Sequence, residues 1–159
     1  MLPTGPAALR LARLLALLLP AALLGGAYLS QYGFGLYPCE MCWWQRYPHF
    51  AAIVLAGVGF AVPSARWPVG LAALAIAVSG LIGGYHAGVE YHWWEGITHC
   101  TSTAAPGGDA LQSILEAPLV RCDQAQWTLL GISLAGFNFL FSTGGAIALA
   151  ALLARSART

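Results

Sequence analysis

Four apolar runs constrain this chain: Leu11 to Leu29, Trp44 to Val62, Val69 to Val89 and roughly Thr128 to Leu153. A helix rises about 1.5 Å per residue, so about 20 residues cross a hydrocarbon core of about 30 Å. Each run reaches that length. Charged residues make up only 8% of the chain, against about a quarter in ordinary soluble domains. So few charges cannot cover a water-exposed globule. Glycines inside the runs, such as Gly25, Gly57, Gly83 and Gly144, weaken a water-soluble helix but suit close packing in lipid. The sequence therefore predicts an all-α membrane protein, a four-transmembrane-helix bundle with spans at about 11–29, 44–62, 69–89 and 128–153. Residues 1–159 read as a single integral membrane domain. A net charge of +1 with no basic run gives no footing for nucleic-acid binding.

Arg10 and Arg13 before a leucine run also describe a signal peptide. A cleaved hydrophobic region is usually about 7–15 residues long, whereas this run continues through Pro20 and Gly25 to Leu29. The length predicts a retained helix. The chain has no lysine, so orientation rests on arginine. Arg10, Arg13, Arg66, Arg155 and Arg158 fall on one face of a four-span topology, which the positive-inside rule makes cytoplasmic. Both termini are then expected inside, with loops at about 30–43 and 90–127 outside.

All four cysteines fall in those outer loops: Cys39 and Cys42 before the second span, Cys100 and Cys122 before the fourth. Such placement fits a compartment where disulfides persist. Structural zinc sites usually offer a second close pair, yet 21 residues separate Cys100 from Cys122. Covalent haem needs histidine directly after the second cysteine, where this chain has Trp43. An inert staple within Cys39-Glu40-Met41-Cys42 would close too short a loop to stabilise much. A tight Cys-x-x-Cys pair at the start of a helix suits exchangeable disulfides and a lowered thiol pKa. Arg46 lies one helical turn beyond Cys42 and can share its face, either to hold an anion or polar carbonyl or as a snorkelling anchor. Trp43, Trp44 and Tyr47 read first as an interfacial aromatic belt.

The segments "PCEMCWWQR" and "CDQAQWTLLGISLAGFN", with two outer cysteine pairs on four spans, make the chain resemble the bacterial disulfide bond formation protein B family, DsbB. The resemblance covers nearly the whole chain. It implies an inner-membrane oxidoreductase that reoxidises a periplasmic, thioredoxin-fold DsbA-like dithiol oxidase and passes electrons to a membrane quinone, ubiquinone or menaquinone; this family is itself the standing example of a periplasm kept oxidising kinetically. Residue by residue it makes Cys39 and Cys42 the quinone-coupled pair, Arg46 the quinone-proximal arginine, and Cys100 and Cys122 the substrate-facing pair, with no metal. A substrate thiolate would attack Cys100; Cys122 would then exchange with Cys39 and leave Cys42 as a thiolate near the quinone. The interval between Cys100 and Cys122 is shorter than in the best-known members, and "GGYHAGVEYHWWEG" marks a subgroup.

Three further expectations follow from the residues. Leu111, Ile114 and Leu115, between Asp109 and Pro118, read as a short amphipathic helix in the long loop, lying on the membrane or packed on the protein. His49 and His86 fall in opposite-running helices; they read as hydrogen-bonded packing, as quinone contacts, or as ligands of a b-type haem in a membrane electron carrier. A nonenzymatic membrane scaffold with loop disulfides is the other alternative.

Overall fold

The computed structural model describes residues 3–98, 101–102 and 119–157. Four long helices dominate: α1 (Gly5–Phe34), α2 (Glu40–Ala61), α3 (Trp67–Glu90) and α4 (Leu134–Ser156). Two-residue strands form two antiparallel ladders between α3 and α4: β1 (Thr101–Ser102) with β2 (Leu119–Val120), and β3 (Thr128–Leu129) with β4 (Ile132–Ser133). The expected loop helix around Asp109 to Pro118, and Cys100, lie outside the described residues.

Local chemistry sets the helix starts. Proline occupies the first turn of α1 and of α3, where its missing N–H costs nothing. The Cys39 side chain caps α2 by accepting the Cys42 N–H at 3.3 Å, and Glu40 follows in the first turn, where the helix dipole favours negative charge. Ser133 Oγ caps α4 by accepting the Gly136 N–H at 3.1 Å. Gly35 ends α1 in the left-handed conformation (φ 69°).

The fourth apolar run begins later than its hydropathy implied. A helix was expected from about residue 128, but residues 128–133 fold as the β3–β4 hairpin and α4 starts at Leu134. The cause is the turn: Leu130 (φ 52°) and Gly131 (φ 78°) both adopt positive φ, which no right-handed helix accommodates. The Tyr91 hydroxyl pins this hairpin to the end of α3, donating to Gly131 O at 2.9 Å and accepting from Ser133 N at 3.0 Å.

Among the described residues three helices, α1, α3 and α4, are long and apolar enough to cross a membrane. The second expected span, 44–62, falls on α2, which has 22 residues but places Glu40, Gln45, Arg46 and His49 in its first half. The helices pack cyclically, α1 against α2, α2 against α3, α3 against α4, and α4 back against α1. Small residues line the contacts: Ala8, Ala12 and Ala16 of α1 and Ala52 and Ala56 of α2 are fully buried, with Val69, Ala72 and Ile76 of α3 and Leu149 of α4. Such stripes let backbones approach, the usual source of helix association in lipid. At this end buried Arg13 donates to the Pro63 carbonyl between α2 and α3. Outward faces carry Leu18, Val54, Leu74, Leu81 and Ile147, all exposed. An apolar exterior around a partly polar interior is the arrangement lipid requires.

Toward the other end, Gly83 lets three helices meet. A Cβ at this position would lie 3.0 Å from Ala135 O, 3.0 Å from Asn138 Nδ2 and 3.1 Å from Gln45 Oε1. Gly83→Ala should therefore destabilise the detergent-solubilised protein by about 1–3 kcal/mol, read as a lower thermal midpoint. Gly25→Ala, with nothing within 4 Å, should leave that midpoint unchanged.

Candidate redox site

The site forms where the α1–α2 connection meets the segment entering α4. Gln126 Nε2 donates to Tyr37 O at 2.6 Å, tying the segment after Cys122 to the one before Cys39. Cys39, Cys122 and Met41 then share a buried cluster with Val89 and Val120. Cys39 Sγ lies 3.1 Å from Cys42 Sγ. The sulfurs of Cys39 and Cys122 and a ring nitrogen of His86 lie within 4.8 Å of one another. All three described cysteines are unbonded thiols. Three of the four expected cysteines are thus together, one from each expected pair and a second from the first.

The three thiols are electrostatically unequal. Cys122 is lowered to about 6, first because Cys39 hydrogen-bonds to its sulfur, with backbone groups of Met41 and Glu40 at the start of α2 adding to the effect. Cys39 is pushed far above the ordinary thiol range, because both Cys122 and Cys42 share its proton and because it is buried. The pair therefore stores its charge on Cys122 and its proton on Cys39. A thiolate facing a neighbouring sulfur is the reactive arrangement for disulfide exchange.

A cavity of about 260 Å³ opens beside the thiols, lined by Cys39, Cys42, Arg46, His49 and Phe137 among others. Arg46 and Cys42 share this wall, as their spacing predicted. Gln31 and Ala27 of α1 fix the Arg46 guanidinium, Gln31 Oε1 accepting at 2.7 Å and Ala27 O at 3.4 Å. It also lies over the rings of Tyr28 (4.9 Å) and Trp43 (4.8 Å), a stacking that suits arginine better than lysine. Trp43 thus braces Arg46 rather than serving only as an interfacial belt.

A polar seam runs along the cavity wall, through Gln45, His49, His86 and Asn138. Asn138 of α4 donates to Gln45 Oε1 (2.8 Å) and to Ser79 O (3.1 Å), and its Oδ1 takes the His49 Nε2–H (3.0 Å) and the Ser142 hydroxyl (2.8 Å). Gln45 Nε2 reaches Met41 O (3.1 Å) and His86 Nδ1 (2.9 Å), and His86 Nε2 lies 3.6 Å from Cys39 Sγ. Both histidines are thus hydrogen-bonded to side-chain amides, and both line the cavity. Among the described residues His49 Nδ1 has no hydrogen-bond partner. Sequence reasoning did not find Gln31, Gln45, Asn138 or the reach of His86 to Cys39; the usable signal was that these polar residues sit within otherwise apolar runs.

Fold and site together define a helical membrane protein that gathers thiols at one end of its bundle, beside a cavity walled by an arginine. The family model described as disulfide bond formation protein DsbB matches residues 9–152. The chain belongs to this family of membrane disulfide bond formation proteins. Disulfide bond formation protein B of Verminephrobacter eiseniae is 32% identical over 94% of this chain and 88% of the relative. The protein of the same name from Polaromonas sp. is 30% identical over 94% of this chain and 92% of the relative. An uncharacterized protein of Rickettsia prowazekii is 26% identical over 75% of this chain and 73% of that protein. No solved structure matches the chain.

The thiol asymmetry has a measurable consequence. A sulfur titrating at about 6 is mostly thiolate above that pH, so alkylation of Cys122 in the reduced protein should rise through pH 6 and level off by pH 7. Replacing the donor, as in Cys39→Ala, should move the rise upward toward the ordinary thiol range. Peptide-mapped alkylation across pH measures both.

Proposed function

We propose that this protein is a quinone-dependent protein-disulfide oxidoreductase of the bacterial inner membrane that reoxidises a periplasmic DsbA-like dithiol oxidase. The observation that carries the reading is the contact of Cys39 with both Cys42 and Cys122 on the wall of a cavity shared by Cys42 and Arg46. One sulfur touching two others is what an exchange relay requires. Family membership supplies the disulfide chemistry; the relay order is our reading.

In this reading both termini are cytoplasmic and the cysteine loops periplasmic. A partner thiolate attacks Cys100 of a Cys100–Cys122 disulfide; a mixed disulfide forms and the electron pair leaves on Cys122. The low pKa of Cys122 makes it a good leaving group and keeps it a thiolate. Cys122 then attacks Cys39 of a Cys39–Cys42 disulfide, the bond to Cys42 breaks, and Cys42 carries the electron pair toward the cavity. The partner's second thiolate attacks its own sulfur in the mixed disulfide and frees Cys100, which attacks Cys122 and displaces Cys39. The Cys39–Cys42 disulfide would re-form as a bound quinone accepted two electrons and two protons. The wall residues fit such a ring: Arg46 presents N–H groups for a carbonyl oxygen, and His49 offers Nδ1, a buried nitrogen with no hydrogen-bond partner among the described residues, to a ring hydroxyl. His49 and His86 as haem ligands have less support, because His86 Nδ1 and His49 Nε2 are already engaged by amides.

The test follows quinone reduction by the purified protein with a reduced DsbA-like partner. Cys42→Ser should abolish turnover, and normal turnover in that variant would refute the relay. Arg46→Ala should raise the quinone KM about tenfold, the size of one lost charge-assisted hydrogen bond, while membrane insertion is preserved. An unchanged KM would return Arg46 to an anchoring role.

A further inference from the structure

The amide seam determines which nitrogen of His86 carries the proton. Two backbone carbonyls anchor the argument, because carbonyls only accept. Ser79 O faces Asn138 Nδ2 at 3.1 Å, which orients that amide and makes the Gln45 atom 2.8 Å from Nδ2 an oxygen. Met41 O faces the other end of the Gln45 amide at 3.1 Å, which is therefore the NH2 group. Its second N–H points to His86 Nδ1 at 2.9 Å. Nδ1 is then the acceptor, and in a neutral imidazole the proton sits on Nε2.

Nε2 faces Cys39 Sγ at 3.6 Å, a hydrogen-bond distance for an atom as large as sulfur, with the Cys122 backbone also within hydrogen-bonding reach of the ring. Glu90 Oε1, one turn along α3, lies 3.8 Å away, beyond a hydrogen bond to oxygen. The backbone N–H of Cys42 approaches the same sulfur at 3.3 Å. We infer that His86 is a further catalytic residue: its Nε2–H and the Cys42 N–H form a two-donor cradle that holds negative charge on Cys39 sulfur. Gln45 and Asn138 are positioning residues that keep His86 in the donating tautomer. The inference rests on the redox reading of Cys39 above.

The cradle acts when Cys39 is a leaving group. A thiolate attacking Cys122 of a Cys39–Cys122 disulfide forms a new bond to Cys122, breaks the old one and delivers its electron pair to Cys39. His86 keeps its proton and shares it with the new thiolate, so electrons balance without another oxidant. The same three groups, Cys39, Cys122 and His86, also have the spacing of metal ligands. Metal ligation would need the Nε2 lone pair, which the locked tautomer fills with a proton. The geometry favours the donor.

The test isolates Cys39 in full-length protein carrying Cys42→Ser and Cys122→Ser, both of which keep the backbone donor. Alkylation of Cys39 is followed across pH by peptide mapping. Around the same cavity, Glu90, Arg46 and Arg121 are common to every variant. His86→Leu should raise the Cys39 midpoint by about one pH unit, about tenfold less thiolate at fixed pH. His86→Gln, which keeps a neutral N–H, should restore it to within about 0.3 units by the same scale. Gln45→Met, which leaves His86 in place but unlocks it, should give a smaller rise and decides the matter if His86→Leu fails to fold. An unchanged midpoint in His86→Leu, or equal rises in the Leu and Gln variants, overturns the inference. Quinone turnover is measured separately with all four cysteines present: a midpoint shift without wild-type turnover would sink the redox reading and keep the cradle, whereas turnover without a shift would sink the cradle alone.

Discussion

The structure depends on a row of hydrogen bonds buried in an otherwise apolar bundle. Asn138 of α4 binds Gln45 of α2 and Ser79 of α3, and through them sets His86 against Cys39. In lipid an unpaired polar group costs several kcal/mol, whereas each interhelical hydrogen bond returns about 0.6–2 kcal/mol. The asymmetry matters more than the sum. Three helices can bury these groups only in the register that pairs them, and Gly83 supplies the room for that register. The seam thereby fixes the start of α2, and with it the height of the Cys39 and Cys42 sulfurs in the bundle.

Cysteine chemistry inherits this rigidity. Cys39 caps α2 with the same sulfur that touches Cys42 and meets Cys122 and His86. Its proton is drawn toward Cys122, which is why the two thiols diverge so widely. On the other side of the cavity Arg46 is fixed by α1 through Gln31, Ala27 and Tyr28. Each of the four helices therefore contributes one constraint: α1 the acceptors that hold the Arg46 guanidinium, α2 the cap, α3 the imidazole, α4 the Asn138 amide.

Much of this was legible in the chain. Helix count and three of the helix positions follow from apolar run length, and the resemblance to DsbB rested on short segments that the family match supports. The late start of α4 was invisible because hydropathy carries no information about φ, and Leu130 gives no warning of a left-handed turn. α2 read as a span by length alone, although its polar first half, Glu40 to His49, belongs to the site. His86 and Cys39 are 47 positions apart, so only packing of α3 on α2 could join them. The Gln45 and Asn138 amides could be read as buried polar groups, but their partners could not.

The central claim is that packing alone brings a sulfur from each cysteine-bearing segment into exchange contact. Its most direct measurement uses full-length protein with Cys42→Ser and Cys100→Ser, leaving Cys39 and Cys122 as the only thiols. Mild oxidation followed by peptide mass analysis should find a Cys39–Cys122 bridge within each chain at near-stoichiometric yield. Two free, separately alkylated thiols, or bridges formed only between chains, would contradict the account.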